Sequence, residues 1–440
     1  MNHRSVRDAT EFVTSEPNRD QASPHSVARE IAAAAVGNAL EWFDFVIYGY
    51  FATIIAKLFF PEAGAFGSLL LATATFGVGF VVRPFGGFIF GLYADKAGRK
   101  KALSLTIWLM MVGTGLIAIA PTYRQAGWLG AIVLVTARLI QGLAASGEYG
   151  SAVAFLAEKA PTGRRNFYVS LQMSTTMLAI VLGGAVGALL TKSLSQTQLE
   201  SWGWRVPFVI GLLIGPVGFY MRRHVEETKA FSQARKLPTG KILGQLVGQQ
   251  RSIMLAAIGV SIVGTVAFYL NLVYMPTFAV RELGLPMSAP FASTAVAGLV
   301  MVICAPAAGL LSDIAFRSVT ILSVAIAAIA LITYPLYTWL IAHPTMSNLL
   351  VVQGVLAVPM GIISGLIPAI VSRIFPPETR STGLSISYNI PTTIFGGFAP
   401  AIVTYLIATT GNKGAPALYV IAAAAISLVS AIGLRNIRSQ

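Results

Sequence analysis

The chain has 440 residues, 55% of them hydrophobic and 11% charged, and its mean hydropathy is +0.72. A water-soluble domain carries about a quarter charged residues, so this composition excludes a wetted globule and makes lipid the solvent for most of the chain. The net charge of +14 lies in loops and tails, which argues against nucleic acid as partner; Cys304 stands alone, excluding a disulfide framework.

Residues 1–26 mix both charge signs with Pro and Asn and lack an apolar core behind a basic start. They read as a disordered cytosolic tail rather than a cleaved signal. Apolar runs long enough to cross ~30 Å of hydrocarbon then recur. Six fall near 31–58, 66–92, 102–120, 128–156, 167–190 and 206–221; six more fall near 253–279, 290–314, 319–342, 349–374, 382–408 and 415–434. The expected organisation is a bundle over 27–221, a basic cytosolic loop over 222–252, a second bundle over 253–434 and a cytosolic tail over 435–440. Most Lys and Arg residues fall on one side of these spans, and the other side holds only Lys57, Arg124, Lys192, Arg205, Arg281 and Lys413. The positive-inside rule therefore places both termini in the cytosol.

The halves echo each other. Gly91-Leu92-Tyr93-Ala94-Asp95 follows the second span and Gly309-Leu310-Leu311-Ser312-Asp313 the eighth; Pro161-x-x-Arg164 follows the fourth and Pro377-x-x-Arg380 the tenth. Two short matches at nearly one offset point to duplicated halves.

After the second span the chain reads G-L-Y-A-D-K-A-G-R-K-K, from Gly91 to Lys101, and the fourth span carries Arg138-Leu-Ile-Gln141-Gly142. These segments resemble the cytosolic G-x-x-x-D-x-x-G-R-K and the R-x-x-Q-G elements of the major facilitator superfamily. Gly37-Asn38-Ala-Leu-Glu41-Trp42-Phe43-Asp44-Phe45, Arg83-Pro84-Phe-Gly86-Gly87, Gly147-Glu148-Tyr149-Gly150 and Trp202-Gly203-Trp204-Arg205-Val-Pro207-Phe208 are similar to its metabolite:proton symporter branch. The resemblance covers residues 27–434 and implies an all-α membrane protein of twelve transmembrane helices in two pseudo-symmetric six-helix bundles. It implies carriage of citrate, 2-oxoglutarate, other dicarboxylates, shikimate, or proline and betaine. It also implies a cytosolic latch formed by Gly91, Asp95, Gly98 and Arg99, with Glu158, Arg164 and Asp313 as companions. The second copy departs from the pattern, because no G-R-K follows Asp313, which puts a symmetrical second latch in doubt.

Glu41, Asp44, Glu148, Arg83 and Arg138 sit well inside apolar spans. Each charge near a helix centre costs ~3 kcal/mol facing lipid, so five together, on the order of 15 kcal/mol, should face a shared interior. Glu41 and Asp44 are three residues apart and share a helix face, which Tyr48 extends; Arg138, Gln141, Ala145 and Tyr149 form a similar stripe. A carboxylate in low dielectric can exchange protons near neutral pH, so Glu41, Asp44 and Glu148 are the candidate proton carriers. Arg83 and Arg138 are the candidate anion ligands, with Gln141, Gln172, Asn271, Tyr274 and Asn389 as polar partners. The bland alternative for all of them is helix pairing, since buried ion pairs and polar side chains also hold helices together.

Rival functions lack their residues. His3, His25, His224 and His343 are scattered, so no metal cluster is expected, and no G-x-x-x-x-G-K-[ST] occurs for ATP. An enzyme is not expected, nor any cofactor beyond the proton gradient as driving force. The expectation is a proton symporter of a small organic acid, citrate-like or dicarboxylate, in a bacterial inner membrane. It would act as a monomer amid lipid, with no nucleic-acid partner. A carrier of zwitterionic osmolytes or shikimate, and a passive facilitator, are the alternatives.

Overall fold

A computed structural model describes residues 38–39, 41–86, 89–90, 99–213, 215–216, 239–376 and 379–437. The expected tail at 1–26, Gly91, Asp95, Gly98 and residues 222–238 and 438–440 lie outside the described residues; so do the side chains of Arg99, Glu148 and Glu158, whose backbones are helical.

The described residues are mostly helical, with no strand among them. The spans run in chain order. α1 is a bent pair, Glu41–Tyr50 and Ala52–Phe59, and α2 is Pro61–Gly86. α3 is Arg99–Ile119. α4 is Trp128–Ala144, continued by Glu148–Lys159. α5 is Arg165–Ser193 and α6 begins with Val206–Leu212. α7 is Arg251–Phe268, a π-helical turn at Tyr269–Val273, and Met275–Arg281. α8 is Ser288–Ile314, α9 Ser318–Ala342 and α10 Met346–Ile374. α11 is Arg380–Pro391, a π-helical turn at Thr392–Gly397, and Ala399–Thr410; α12 is Ala415–Ile437. Among the described residues, eight helices are long and apolar enough to cross a membrane and the bent α1 makes a ninth. Leu105–Ile119 and Trp128–Ala144 are shorter apolar helices.

Apolar side chains face outward as well as inward. Leu331 is 75% exposed, Ile119 75% and Leu189 66%, a distribution that only lipid tolerates. Within the first half, α2 and α3 pack on α4 and α3 packs on α6; within the second, α12 packs on α7 and α9, and α10 on α8 and α9. The halves meet along α5 and α8, where small residues bring the backbones close. A Cβ at Gly184 would stand 2.7 Å from the carbonyl oxygen of Phe291, and one at Gly309 2.7 Å from that of Asn166. α2 meets α11, and Thr393 donates to the Phe80 carbonyl at 3.0 Å.

Candidate functional site

Close backbone approach places the first charge. A Cβ at Gly142 on α4 would fall on the carbonyl oxygen of Gly79 on α2, so glycine there lets the two helices touch. Arg138, one turn before Gly142, is thereby pressed under α2 and fully buried. Its Cζ lies 4.8 Å from the Phe45 ring centroid, 4.7 Å from Tyr48 and 5.2 Å from Phe76. Aromatic faces of this kind offset part of a guanidinium's desolvation, by up to about 2 kcal/mol each.

A hydrogen-bonded chain leads from Arg138 to Asp44. Arg138 Nη1 donates to Gln141 Oε1 at 2.9 Å, and Gln141 Nε2 donates to Thr114 Oγ1 at 2.9 Å. The Thr114 hydroxyl then donates to Asp44 Oδ2. All four side chains are buried. The second carboxylate oxygen of Asp44 has no hydrogen-bond partner, nor have Nε and Nη2 of Arg138. Asp44 Oδ1 points at α6, where a Cβ on Gly211 would collide with it; glycine at 211 is what admits the carboxylate.

Arg83 occupies a second aromatic site, 3% exposed. Its Cζ is 4.3 Å from the Phe80 centroid, 4.7 Å from Phe45 and 5.8 Å from Trp42. The two guanidinium groups therefore share the Phe45 ring. Tyr388 of α11 stands against Arg83 and within electrostatic reach of Glu41. Glu41 is half-buried at the described start of α1.

Between the halves lies a cavity of about 40 Å³, room for roughly two or three waters. Trp42, Tyr149 and Thr176 line it from the first half; Thr265, Tyr269 and Tyr388 line it from the second. The Tyr269 hydroxyl is buried without a hydrogen-bond partner. Arg83 is not on the cavity wall, but Trp42 and Tyr388, which are, both touch it.

The sequence candidates thus separate. Asp44, Arg138 and Gln141 belong to one chain of contacts, and Arg83 neighbours it across Phe45. Asp44 turns toward Thr114 of α3 and Gly211 of α6. Gln172 donates to Asn38 Oδ1 at 3.0 Å, and Asn38 donates in return to Thr175 at 2.8 Å and Thr176 at 3.0 Å. Asn271 accepts from Tyr337 at 2.8 Å, and its carbonyl accepts from Gln353 at 2.5 Å. Tyr274 pairs with Thr404 at 2.9 Å. These two point to different helices and are not on the wall of that cavity. Asn389 is half-buried beside Tyr388 in α11. Thr114, Gly211 and Asn38 gain roles that sequence reading did not assign them; a lone Thr or Gly in an apolar span carries no signal separating it from helix packing.

Asp313 lies at the far end of the α5–α8 contact. Its carboxylate accepts from the backbone N–H of Asn166 at 3.1 Å and of Phe167 at 2.9 Å, and Arg373 approaches it at 3.6 Å. A carboxylate on the first turn of α5 complements that helix's dipole, and it does so across the halves without the missing G-R-K. Arg164, just before α5, is exposed.

Residues 34–386 match the family described as Major Facilitator Superfamily. The chain is 37% identical over 396 residues to the citrate-proton symporter of Klebsiella pneumoniae, covering 90% of this chain and 88% of the relative. It is 32% identical over 421 residues to the proline/betaine transporter of Escherichia coli (strain K12), covering 93% and 83%. The fold matches a crystal structure of a D-xylose-proton symporter with a TM-score of 0.73 at 16% identity, over 91% of this chain and 97% of the other. The chain belongs to the Major Facilitator Superfamily and is a multi-pass membrane transport protein, not an enzyme.

Proposed function

We propose that this protein is a proton symporter importing a small organic acid, a citrate-like tricarboxylate or dicarboxylate, by alternating access between its halves. The observation that carries the reading is the buried chain Arg138–Gln141–Thr114–Asp44. A passive pore has no use for a carboxylate and a guanidinium joined at mid-membrane, whereas a proton-coupled carrier needs a buried group that changes charge. Asp44 is the proposed proton carrier, and Glu41 and Glu148 are proposed to share or relay the proton. Protonation removes the negative end of the chain and frees Arg138 from its hold, which alters the field felt by Arg83 across Phe45. Arg83 is the proposed anion ligand, because a guanidinium fork suits a carboxylate. The relative named for citrate and protons supports the anionic reading.

A second reading has its own observation. Trp42, Tyr149, Phe268, Tyr269 and Tyr388 make the cavity wall strongly aromatic, and aromatic walls receive ammonium groups. A zwitterion such as proline or betaine would set its carboxylate on Arg83 and its cation among the rings. The relative named for proline and betaine fits that reading.

An uptake panel separates the two. Purified protein in proteoliposomes is given an inward proton gradient and labelled citrate, 2-oxoglutarate, succinate, shikimate, proline or betaine. Citrate or another organic acid should accumulate above its outside concentration, and a protonophore should abolish the excess. Accumulation of betaine or proline alone would establish the second reading, and equilibration unaffected by the protonophore would contradict both.

A further inference from the structure

Tyr388 belongs to the second half, yet its surroundings are drawn from the first. Its ring stacks on Tyr149 of α4 with centroids 3.8 Å apart and planes 15° from parallel. Every other described ring pair has centroids 5.1–6.3 Å apart. Its phenol group stands against Arg83 and within reach of the Glu41 charge. Both stacked rings form part of the cavity wall. The backbone next to the stack is closed as well: a Cβ on Gly150 would collide with Ser385 Oγ and approach the Ser381 carbonyl oxygen to 2.6 Å. The stack and the closed backbone tie α4 to α11, and so one half to the other. The stack lies toward the ends of α4 and α11 that carry Lys159 and Arg380, the basic side of the protein.

We infer that Tyr388 is the positioning residue through which occupancy of Arg83 in one half is read by the other, and that its stack with Tyr149 seals the cavity on the basic side. A substrate carboxylate taking both arms of the Arg83 fork displaces the Tyr388 phenol. The stack loses its side support, and the seal opens toward the side of release. With Arg83 unoccupied, the phenol holds the guanidinium and keeps the seal shut. The inference rests on Arg83 as the carboxylate ligand.

The test reads access to the cavity. In a Cys304→Ser background, Thr265→Cys places one thiol on the cavity wall, and a membrane-impermeant maleimide is added from the basic side with and without citrate. Citrate should speed labelling several-fold when Tyr388 is intact. Tyr388→Phe keeps the ring and loses the phenol's hold on Arg83; it should label faster than the parent without citrate and lose the citrate response. Tyr149→Leu and Tyr388→Ala break the stack and should label about tenfold faster without citrate, the former serving should the latter fail to fold. Labelling no faster in both broken-stack variants, or a citrate response that survives Tyr388→Phe, overturns the inference. A response lost in Tyr388→Phe but kept in Arg83→Gln overturns the assignment of Arg83 instead.

Discussion

Asp44 and Arg138 are opposite charges in one buried chain, and no direct ion pair joins them among the described residues. Thr114 and Gln141 stand between, so the carboxylate is held by a hydroxyl and can take up or release a proton without tearing apart a salt bridge. Thr114→Val keeps the shape and removes the hydroxyl. It leaves the Asp44 carboxylate and the Gln141 amide each short of a partner, about 1–3 kcal/mol apiece. Gradient-driven accumulation should fall at least tenfold in this variant while substrate exchange persists, as measured by counterflow in proteoliposomes. Gly211→Ala should produce the same phenotype with no polar group changed, because its methyl occupies the position of Asp44 Oδ1. Arg83→Lys retains the charge but loses the bidentate fork, so the KM for the transported anion should rise about tenfold; an unchanged KM removes Arg83 from binding. The charged members of the site were legible because charges in apolar spans are rare and costly. Asn271 and Tyr274 were legible only as polar side chains, and their hydrogen bonds to Tyr337 and Thr404 fit helix-to-helix contact as well as any ligand.

Helix boundaries follow from hydropathy and fall within a few residues of expectation at most ends, since the hydrocarbon thickness sets span length. What hydropathy cannot reveal is where a span bends. α1 bends by 65° between Tyr50 and Ala52 with no proline at the break, whereas the π-helical turn of α7 is followed by Pro276 and that of α11 is flanked by Pro391 and Pro400. The bend in α1 thus has no proline behind it, while the π-helical turns sit beside prolines that lack the N–H of a regular helix. Close approach is similarly invisible until the partner helix is known. Gly142→Ala would drive a methyl into the Gly79 backbone and should destabilise the protein by about 1–3 kcal/mol, seen as a lower thermal midpoint in detergent. Gly240→Ala, in the helix Thr239–Val247 with nothing within 4 Å of its added Cβ, should be neutral or stabilising. Asp313 teaches a complementary lesson. The motif in the last turns of α8 is truncated, yet the single carboxylate still caps α5. Asp313→Asn should weaken this join by about 0.5–2 kcal/mol. Spin labels on cysteines replacing the exposed Arg164 and Arg317 should then show a larger population of long distances, and an unchanged distribution would remove Asp313 from the latch.

At the scale of the whole molecule, the halves touch at both ends of the spans. Asp313 bonds the backbone of α5 at one end, and Arg281 donates to the Ala65 carbonyl at 3.1 Å at the other. The cavity between them holds about 40 Å³, and under the proposed alternating access loading requires one set of these contacts to part while the other holds. In the proposed mechanism that requirement links the buried chain of Asp44 to transport, with its charge state biasing which end opens. The most direct measurement compares wild type with Asp44→Asn in proteoliposomes carrying an inward proton gradient, using labelled citrate. The account predicts that the variant loses accumulation above the outside concentration while retaining citrate counterflow. Accumulation equal to wild type, still abolished by a protonophore, would contradict it.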